Sequence, residues 1–506
     1  MAVISTLRRK GNNVIKSKNS TLKNIGVYKT NYHFARSNEV ASNICEDAVN
    51  EPMVDMQVSG NSSQDGTSTP EQPCEIISVG EKTKNLVDVN SSTNTFGYLT
   101  KTGEVVNHTS IKYTDYIIIP NNATKLTISG MGGAVFSAPA TCFYDENRNF
   151  IVGELFNETA TRTFTIPSGA KYFRTCFRTT HTKFMAEYNT TATEYEPYGY
   201  KILITPKGEN MVDLSKKPNE NSSSYTFSNG VYTVSNSQAY RPNRWKIVLK
   251  PNTKYIVTAK SINASKCFIQ ISGYLSGTSI AEGSINLRDY SLTNTFTTTD
   301  NGAITLSIYT SELVESLIVE DVQIREVLET TNIYLKEPLR NIGDYADILD
   351  YKGKKVIRKI ASEFITNVQT MSGDATTYRK FLTDIKYKPL LLGVSVESKG
   401  FAISNKFKQS TVTYKEMGSY PNLIQTYITT GGVNRCVYTF DDKSVQQTSQ
   451  AQPLIGDGFE ICYVMADTIE ETIDIPEIST FDGTTTLDIE TTIEPSAIKI
   501  NYWKQI

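Results

Sequence analysis

The stretch Met56-Gln-Val-Ser-Gly60-Asn-Ser-Ser-Gln-Asp65-Gly-Thr-Ser-Thr-Pro70-Glu-Gln-Pro-Cys-Glu75-Ile-Ile-Ser-Val-Gly80 opens with turn-forming residues and ends in a β-type run. Gly60, Asp65 and Pro70 favour turns and disfavour a helix. The residues from Glu75 to Val79 are rich in β-branched side chains with one apolar face. This part of the chain therefore predicts a turn-rich connector that leads into a strand.

The composition of the whole chain points to the same class of structure. With 506 residues, the chain is long enough for about three or four domains. Hydrophobic residues make up 39%, aromatic residues 10% and charged residues 21%, with many Thr, Ser, Asn and Tyr. Such residues pack well on a pleated surface that is wetted on one side. We predict an all-β, multi-domain protein.

Charge, hydropathy and cysteine usage exclude several classes of function. A net charge of −2 gives the molecule no electrostatic footprint for nucleic acid or an anionic membrane. The chain has no apolar run long enough for a membrane span or a cleaved signal. Its seven cysteines are scattered singly, so we expect reduced, buried thiols and synthesis in a cytoplasm.

Three segments resemble the tail and baseplate structural proteins of bacteriophages that infect Gram-positive bacteria. The stretch Met56–Gly80, followed by Asn85-Leu86, is similar to a segment that precedes a β-sandwich in those proteins. Residues 335–358, with Glu-Pro-Leu-Arg-Asn-Ile-Gly-Asp-Tyr-Ala-Asp and Gly-Lys-Lys-Val-Ile-Arg, resemble a second block, and residues 475–503 resemble their usual ending. The resemblance implies a virion structural protein that is assembled in the bacterial host cytoplasm and arranged as a homotrimer.

The chain begins with a basic segment, predicted as an N-terminal arm over residues 1–55. Eight basic residues and no acidic residue lie between Met1 and Arg36. This local asymmetry is typical of an interaction arm or of a solvated leader. In a virion protein we favour docking against an acidic neighbouring protein. The predicted attachment residues are Arg8, Arg9, Lys10, Lys16 and Lys18.

Turn-forming residues and a repeated sequence motif predict the remaining domain boundaries of the chain. A connector and strand occupy 56–84, and short strands separated by turns predict β-sandwich module 1 over 85–200 and β-sandwich module 2 over 201–327. The opening Asn210-Met-Val-Asp-Leu214 repeats Asn85-Leu-Val-Asp-Val89. Phe143–Phe150 and Ile166–Arg174 also resemble strands of carbohydrate-binding jelly rolls in phage adhesion proteins. A linking block over 328–361 and a C-terminal β domain over 362–506 complete the series.

The sequence offers little for catalysis. Its histidines are His33, His108 and His181, with no metal-ligand spacing between them. We therefore expect no metal, no cofactor and no enzyme activity. A glycosidase pair of carboxylates needs no sequence proximity, so an enzyme that degrades cell-surface glycan remains an alternative.

Sugar binding needs an aromatic face together with donors and acceptors for hydroxyl groups. Candidates in module 1 are Tyr144, Arg174 and Arg178, and candidates in module 2 are Tyr240, Arg244 and Trp245. For each aromatic residue the competing interpretation is a core side chain, and for each arginine it is a surface partner of an acid.

The predicted function is that of a tail-tip, baseplate or fibre component that binds host-surface glycan by many weak contacts. The predicted partners are further copies of the chain, other virion proteins and host glycan, without nucleic acid or membrane. The alternatives are a capsid decoration or head-fibre protein with a purely architectural role, and the glycan-degrading enzyme.

Overall fold

The computed structural model describes residues 6–8, 20–23, 53–64, 69, 72–131, 139–156, 161–263, 267–273, 280–288, 291–373, 377–479 and 484–503. About 50% of the chain is strand and about 4% is helix, which confirms the predicted all-β class. The strands form many separate sheets, as expected of sandwich modules on a strand-rich frame.

We call "the frame" the body whose core combines residues 56–79, 202–204, 333–356 and 475–489. Its six-stranded sheet runs in the order Ala402–Ser404, Phe459–Thr472, Lys355–Ile365, Ile348–Asp350, Met53–Ser59 and Ala497–Trp503. Its nine-stranded sheet contains Thr6–Arg8, Ser20–Lys23, Thr484–Glu490, Tyr200–Asn210, Glu81–Lys82, Thr331–Leu335, Gln323–Val327, Lys254–Thr258 and Thr293–Thr297. Two short pairs, Ser62–Gln64 with Ile76–Ser78 and Asn341–Ile342 with Tyr345–Ala346, complete it.

The three sequence blocks that carry the family resemblance meet inside the frame. Ser62 and Asn341 exchange hydrogen bonds, from the Ser62 N–H to Asn341 Oδ1 at 2.7 Å and from the Asn341 N–H to Ser62 Oγ at 3.2 Å. Asn61 donates to the carbonyl of Glu494 at 2.8 Å. A Cβ on Gly60 would lie 2.3 Å from the carbonyl oxygen of Arg340, so only glycine permits this close approach. The turn residues of the opening stretch therefore form a joint between distant strands.

Asp347 lies at the centre of this joint and is completely buried. Its carboxylate accepts the backbone N–H groups of Arg340, Lys359 and Ile360 at 3.1, 2.8 and 3.0 Å. The Arg358 guanidinium donates to it at 3.3 Å and to the Pro338 carbonyl at 2.7 Å. Burial raises the pKa of Asp347, while Arg358 and the N–H groups oppose that rise. The linking block thus has a structural role.

Module 1 has its own core, between Val87 and Ala186. Its four-stranded sheet runs Ile117–Ile118, Tyr172–Arg174, Ala140–Tyr144 and Phe150–Leu155. Two three-stranded sheets run Cys176–Arg178, Ile111–Tyr113, Thr95–Phe96 and Arg162–Thr165, Lys125–Ser129, Met185–Glu187. Tyr98–Leu99 pairs with Val105–Val106.

The core of module 2 lies between Val212 and Ile324. A five-stranded sheet runs Glu220–Asn221, Asn243–Val248, Ala303–Thr310, Cys267–Gly273 and Ser284–Leu287. A four-stranded sheet runs Thr226–Ser228, Val231–Ser237, Val314–Glu320 and Ser261–Ile262. Module 2 also contributes Lys254–Thr258 and Thr293–Thr297 to the nine-stranded sheet, so it is continuous with the frame.

The C-terminal domain packs around aromatic residues such as Phe407 and Tyr438. Its five-stranded sheet runs Thr370–Met371, Phe381–Asp384, Asn434–Tyr438, Leu423–Ile428 and Lys408–Gln409. Leu391–Leu392 pairs with Lys399–Gly400. The domain also contains an α-helix, Thr448–Ile455, and two 3-10 helices, Ser395–Glu397 and Glu416–Ser419. No helix in the described part of the chain is long and apolar enough to cross a membrane.

The domains are inserted between strands of the frame rather than joined end to end. Lys82 lies opposite Tyr200 across an antiparallel pair, so the two ends of module 1 are neighbours. Asn210 lies opposite Arg325, which brings the ends of module 2 together in the same way. Thr484–Glu490, predicted within the C-terminal domain, lies in the frame.

Most of the basic arm lies outside the described residues, including the predicted attachment residues Arg9, Lys10, Lys16 and Lys18. Arg8 lies in the short strand Thr6–Arg8, which runs parallel to Thr484–Glu490 and places Arg8 opposite Glu490. The attachment role of the arm stays a prediction.

Candidate functional site: the Tyr–Arg face of module 1

Tyrosine and arginine side chains alternate in a row on module 1, at the strand Tyr172–Arg174 of the four-stranded sheet and at the neighbouring strand end, connecting segment and turn that hold Tyr113, Tyr116 and Arg148. The Arg174 guanidinium lies 4.6 Å from the ring centre of Tyr113 and 4.7 Å from that of Tyr116. The Arg148 guanidinium lies 5.1 Å from the Tyr116 ring and 5.6 Å from the Tyr172 ring. We call these five residues the Tyr–Arg face. Each contact is a cation–π interaction between a guanidinium and an aromatic ring.

Strand register explains why Tyr172 and Arg174 lie beside Tyr144. Tyr172 lies opposite Tyr144, and Arg174 follows two residues along the same strand. Side chains two residues apart share one face of a sheet, so Tyr144, Tyr172 and Arg174 lie together. Phe143 and Phe173 alternate with them and fill the core.

Tyr144 forms the buried base of the Tyr–Arg face and is only 4% exposed. Its ring meets that of Tyr116 edge to face, with 4.9 Å between the centres. Burial raises the pKa of the Tyr144 hydroxyl, with a further contribution from the neighbouring Cys142. Burial also raises the pKa of Cys142 to about 11, so this thiol stays protonated. Both groups support the face without titrating near neutral pH.

The turn Asp145–Asn149 presents Arg148 to the rings. The Asp145 carboxylate accepts the N–H groups of Asn147 and Asn149 at 2.9 and 2.8 Å, and the Asn149 side-chain amide at 3.0 Å. These hydrogen bonds lower the pKa of Asp145. Arg148 itself has a φ of 63°, in the left-handed region that costs a non-glycine residue about 1 kcal/mol. The turn therefore holds Arg148 in a strained conformation, which is common at binding sites.

A groove of about 320 Å³ borders the Tyr–Arg face at Tyr172. It is lined by Ile118, Ile119, Pro120, Asn121, Glu146, Lys171 and Tyr172. Ile118 is 71% exposed. Lys171 donates to Asn121 Oδ1 at 2.6 Å. The groove thus combines an apolar wall with polar groups at its rim.

The arrangement is suited to binding a hydroxyl-rich ring. Within the described residues, neither Arg148 nor Arg174 forms an ion pair with a carboxylate. Arg174 uses its Nε to donate to the Thr114 carbonyl at 3.1 Å. Arg174 also hydrogen-bonds the Tyr144 side chain. The guanidinium N–H groups of Arg148 can donate to ligand oxygens, and the tyrosine and isoleucine surfaces can cover the apolar side of a sugar.

The structure brings two of the three module 1 candidates together. Arg174 belongs to the Tyr–Arg face, and Tyr144 lies beneath it as a base rather than as an exposed platform. Arg178 lies opposite Ile111 in a different sheet, with its backbone N–H 3.4 Å from Nδ1 of His181.

In module 2 the structure buries the ring that was expected to be a platform. Trp245 is 5% exposed and donates its Nε1–H to the carbonyl of Lys216 at 2.8 Å. The stacking role predicted for Trp245 is therefore wrong, because strand alternation directs this side chain into the core. Arg244 points to the other side and pairs with Glu220 at 2.6 Å, while Tyr240 is 69% exposed.

Sequence reasoning missed Tyr113, Tyr116, Arg148 and Tyr172. A signal for Tyr172 was present, since it lies two residues before Arg174 in a predicted strand and so shares its face. Arg148 lies in a predicted turn whose strained conformation cannot be inferred from residue type.

A second, larger cavity of about 720 Å³ lies in the frame. Its buried cation, Arg340, is already tied to Glu337 at 3.0 Å and to Glu460 at 3.6 Å, so the frame itself uses this charge. Among the described residues, no group of three His, Cys, Asp or Glu side chains is arranged to hold a metal ion.

No protein-family model, curated protein or solved structure matches this chain.

Proposed function

We propose that this chain is a bacteriophage virion structural protein of the tail tip, baseplate or fibre, and that it binds host-surface glycan through the Tyr–Arg face of module 1. The resemblance of three sequence blocks, 56–80, 335–358 and 475–503, to phage tail and baseplate proteins supports the virion assignment. The basic arm would attach the protein to its neighbours, and a homotrimer would repeat the binding face.

One observation carries the binding proposal: Tyr116 contacts two guanidiniums, 4.7 and 5.1 Å from its ring, beside an open groove. Both arginines lack carboxylate partners in the described part of the chain. Weak binding at each face would gain strength from repetition on the virion.

The test uses the full chain, an array of neutral and acidic oligosaccharides, and purified Gram-positive cell walls. Arg148→Gly removes the guanidinium and suits the positive φ, so we expect binding to fall by about tenfold with an unchanged melting temperature. Arg435→Gln is the matched control, because Arg435 is a surface arginine in the C-terminal domain that pairs with Asp384.

The outcomes separate the three classes of function. Binding that needs Arg148 and releases no reducing sugar supports adhesion. Release of reducing sugar would favour the glycan-degrading enzyme. A wild-type protein that binds neither the array nor the cell walls would favour the purely architectural role.

A further inference from the structure

The groove at Tyr172 is continuous with the Tyr–Arg face. Ile118 lies opposite Tyr172 where the edge strand Ile117–Ile118 pairs antiparallel with Tyr172–Arg174. Residues that lie directly opposite each other in an antiparallel pair project from the same face of the sheet, so the Ile118 side chain lies beside the Tyr172 ring. A ligand bound on the Tyr–Arg face therefore has the groove at its side.

Hydrogen bonds hold the wall of this groove in shape. The Ile119 N–H donates to the Lys171 carbonyl at 2.8 Å, and the Tyr188 hydroxyl donates to the Ile118 carbonyl at 2.6 Å. The Ala123 N–H donates to the Pro120 carbonyl at 3.0 Å and closes the turn that follows the edge strand. A wall that is already ordered loses little conformational entropy when a ligand binds.

The wall offers a small apolar surface to a ligand. Ile119 is buried beneath it, while the Ile118 and Pro120 side chains are exposed and line the groove. A methyl group placed against Ile118 removes apolar surface of both partners from water, which is favourable. The wall is therefore suited to a ligand with a short apolar substituent.

The rim of the groove offers one hydrogen-bond donor and one acceptor, on Lys171 and Glu146. No ion pair joins these two exposed side chains in the part of the chain that the structure describes. The Lys171 ammonium donates to Asn121 Oδ1 at 2.6 Å and has two further hydrogens, and the Glu146 carboxylate only accepts. A ligand group with its own acceptor and donor can therefore bind to both.

The charges around the site are balanced. The segments 113–121, 144–149 and 171–174 carry three cations and three anions, which are Arg148, Lys171, Arg174, Asp115, Asp145 and Glu146. Asp145 accepts hydrogen bonds within its own turn, and Asp115 accepts the Tyr116 N–H at 2.8 Å. A balanced site gives no general advantage to a ligand of one sign, so it favours an uncharged polar group.

We propose that the Tyr–Arg face and its groove are specific for N-acetylated amino sugars. The acetamido group is uncharged and has the three features that the groove matches: a methyl group for Ile118, a carbonyl oxygen for the Lys171 ammonium and an N–H for the Glu146 carboxylate. The sugar ring then lies against Tyr172, within reach of Arg148. The inference rests on the proposed adhesion function and names the ligand class of the same site.

The test compares oligosaccharides of equal length made of N-acetylglucosamine, glucose or deacetylated glucosamine. Calorimetry with the full chain should show about tenfold tighter binding of the N-acetylated probe than of the glucose probe, from one buried methyl group and one hydrogen bond. Saturation-transfer NMR should show the strongest transfer to the acetamido methyl protons. The glucosamine probe lacks both the methyl group and the carbonyl, so it should bind no tighter than glucose. Tightest binding of glucosamine would show that Glu146 merely attracts cations, and would overturn the proposal.

Variants of the groove should change selectivity without changing stability. Ile118→Ala and Lys171→Met should each lower the preference for the N-acetylated probe by about threefold, with unchanged glucose binding and melting temperature, because both side chains are exposed. Glu146→Ala should lower the preference, and Glu146→Gln should retain it because an acceptor oxygen remains. Val248→Ala is the matched control, since it shortens a β-branched side chain of module 2 that is 77% exposed.

The outcomes separate this proposal from adhesion itself. If the wild-type chain binds N-acetylated and glucose probes equally and Arg148→Gly weakens both, adhesion stands and the acetamido specificity is overturned. Arg148-dependent binding to cell walls without binding of the N-acetylated probe overturns the specificity alone. A chain that binds neither walls nor probes overturns both proposals. A preference that is reduced in Ile118→Ala and Lys171→Met, and unchanged in Val248→Ala, supports the specificity.

Discussion

At the scale of single residues, the surroundings decide what an arginine does. Arg358 is buried and donates to Pro338, Glu337 and Asp347, so its charge is used within the frame. Arg148 is exposed, carries no ion pair within the described residues, and lies over tyrosine rings. The first stabilises a joint between distant strands, and the second is available to a ligand.

Arg358→Met should destabilise the protein strongly. The substitution leaves the buried Asp347 carboxylate without its cation and two carbonyls without a donor, so we expect a loss of about 3–5 kcal/mol in the free energy of unfolding. Denaturant unfolding followed by circular dichroism measures this loss. Arg435→Met breaks a surface pair with Asp384 and should cost less than about 1 kcal/mol. Equal effects of the two variants would contradict the role of Asp347.

Trp245→Ala should unfold or loosen module 2. The Trp245 ring packs 5.7 Å from the ring of Tyr232 and 6.1 Å from that of Tyr225, so its removal leaves a cavity that costs about 3–5 kcal/mol. Tyr240→Ala removes an exposed ring of the same module and should leave the melting temperature nearly unchanged. Thermal unfolding of the two variants side by side tests the difference, and a stable Trp245→Ala protein would contradict the burial.

At the scale of secondary-structure elements, alternation was readable from the sequence and contacts across strands were not. Strand runs such as 140–144 and 304–309 could be predicted, because β-branched and aromatic residues recur there between turn formers. The side of the sheet on which Trp245 lies depends on register, which one strand cannot fix. The Tyr–Arg face combines residues from two different sheets, a connecting segment and a turn, so only Arg174 and its base Tyr144 were predicted from the sequence.

Pro206 shows a second limit of sequence reading. A proline lacks the backbone N–H and is disfavoured inside a sheet, so residue type alone does not predict a strand across Pro206. Instead, Pro206 lies within Tyr200–Asn210, opposite Leu487. The pairing of this strand with Thr484–Glu490 involves residues that are remote in sequence, and no local signal reports it.

The turn Asp145–Asn149 should make ligand binding sensitive to acid. The pKa of Asp145 is lowered in the folded protein, so its stabilisation of the turn is complete above the ordinary value of 3.8 and is lost as the pH falls through the folded value. We expect binding at the Tyr–Arg face to be constant from neutral pH to near that ordinary value and to weaken below it. Asp145→Ala should bind weakly at every pH, measured by calorimetry. If wild-type binding and Asp145→Ala binding showed the same pH profile, the turn would have no such role.

At the scale of the whole molecule, the chain is a frame with domains inserted into it. Lys82 and Tyr200 lie opposite each other, and the Thr83 N–H donates to the Gly199 carbonyl at 3.0 Å. The sequence predicted two sandwich modules, over 85–200 and 201–327, but not their insertion into a frame. Insertion points are set by which strands of the frame are neighbours, and that is a property of long-range pairing.

Module 1 should therefore be removable without loss of the rest. Replacing residues 84–198 by a short Asn-Gly turn connects two strands that are already antiparallel neighbours. We expect a soluble protein in which the frame and module 2 unfold at the wild-type temperature, measured by calorimetry. The equivalent Asn-Gly replacement of residues 211–324 also removes the strands Lys254–Thr258 and Thr293–Thr297 from the nine-stranded sheet and should cause misfolding. Aggregation of the first variant would contradict the insertion.

The nested arrangement also sets an order of events during synthesis. Met53–Ser59 pairs with Ala497–Trp503. This pairing cannot form during synthesis until several hundred further residues have been translated. Both sandwich modules emerge from the ribosome complete in the meantime and can fold first, as domains generally do. Pairing of Met53–Ser59 with Ala497–Trp503, which closes the six-stranded sheet, is then the last step. It requires that all of the intervening chain has been synthesised. A truncated product would carry folded modules on an open sheet, a state that proteases and chaperones can recognise.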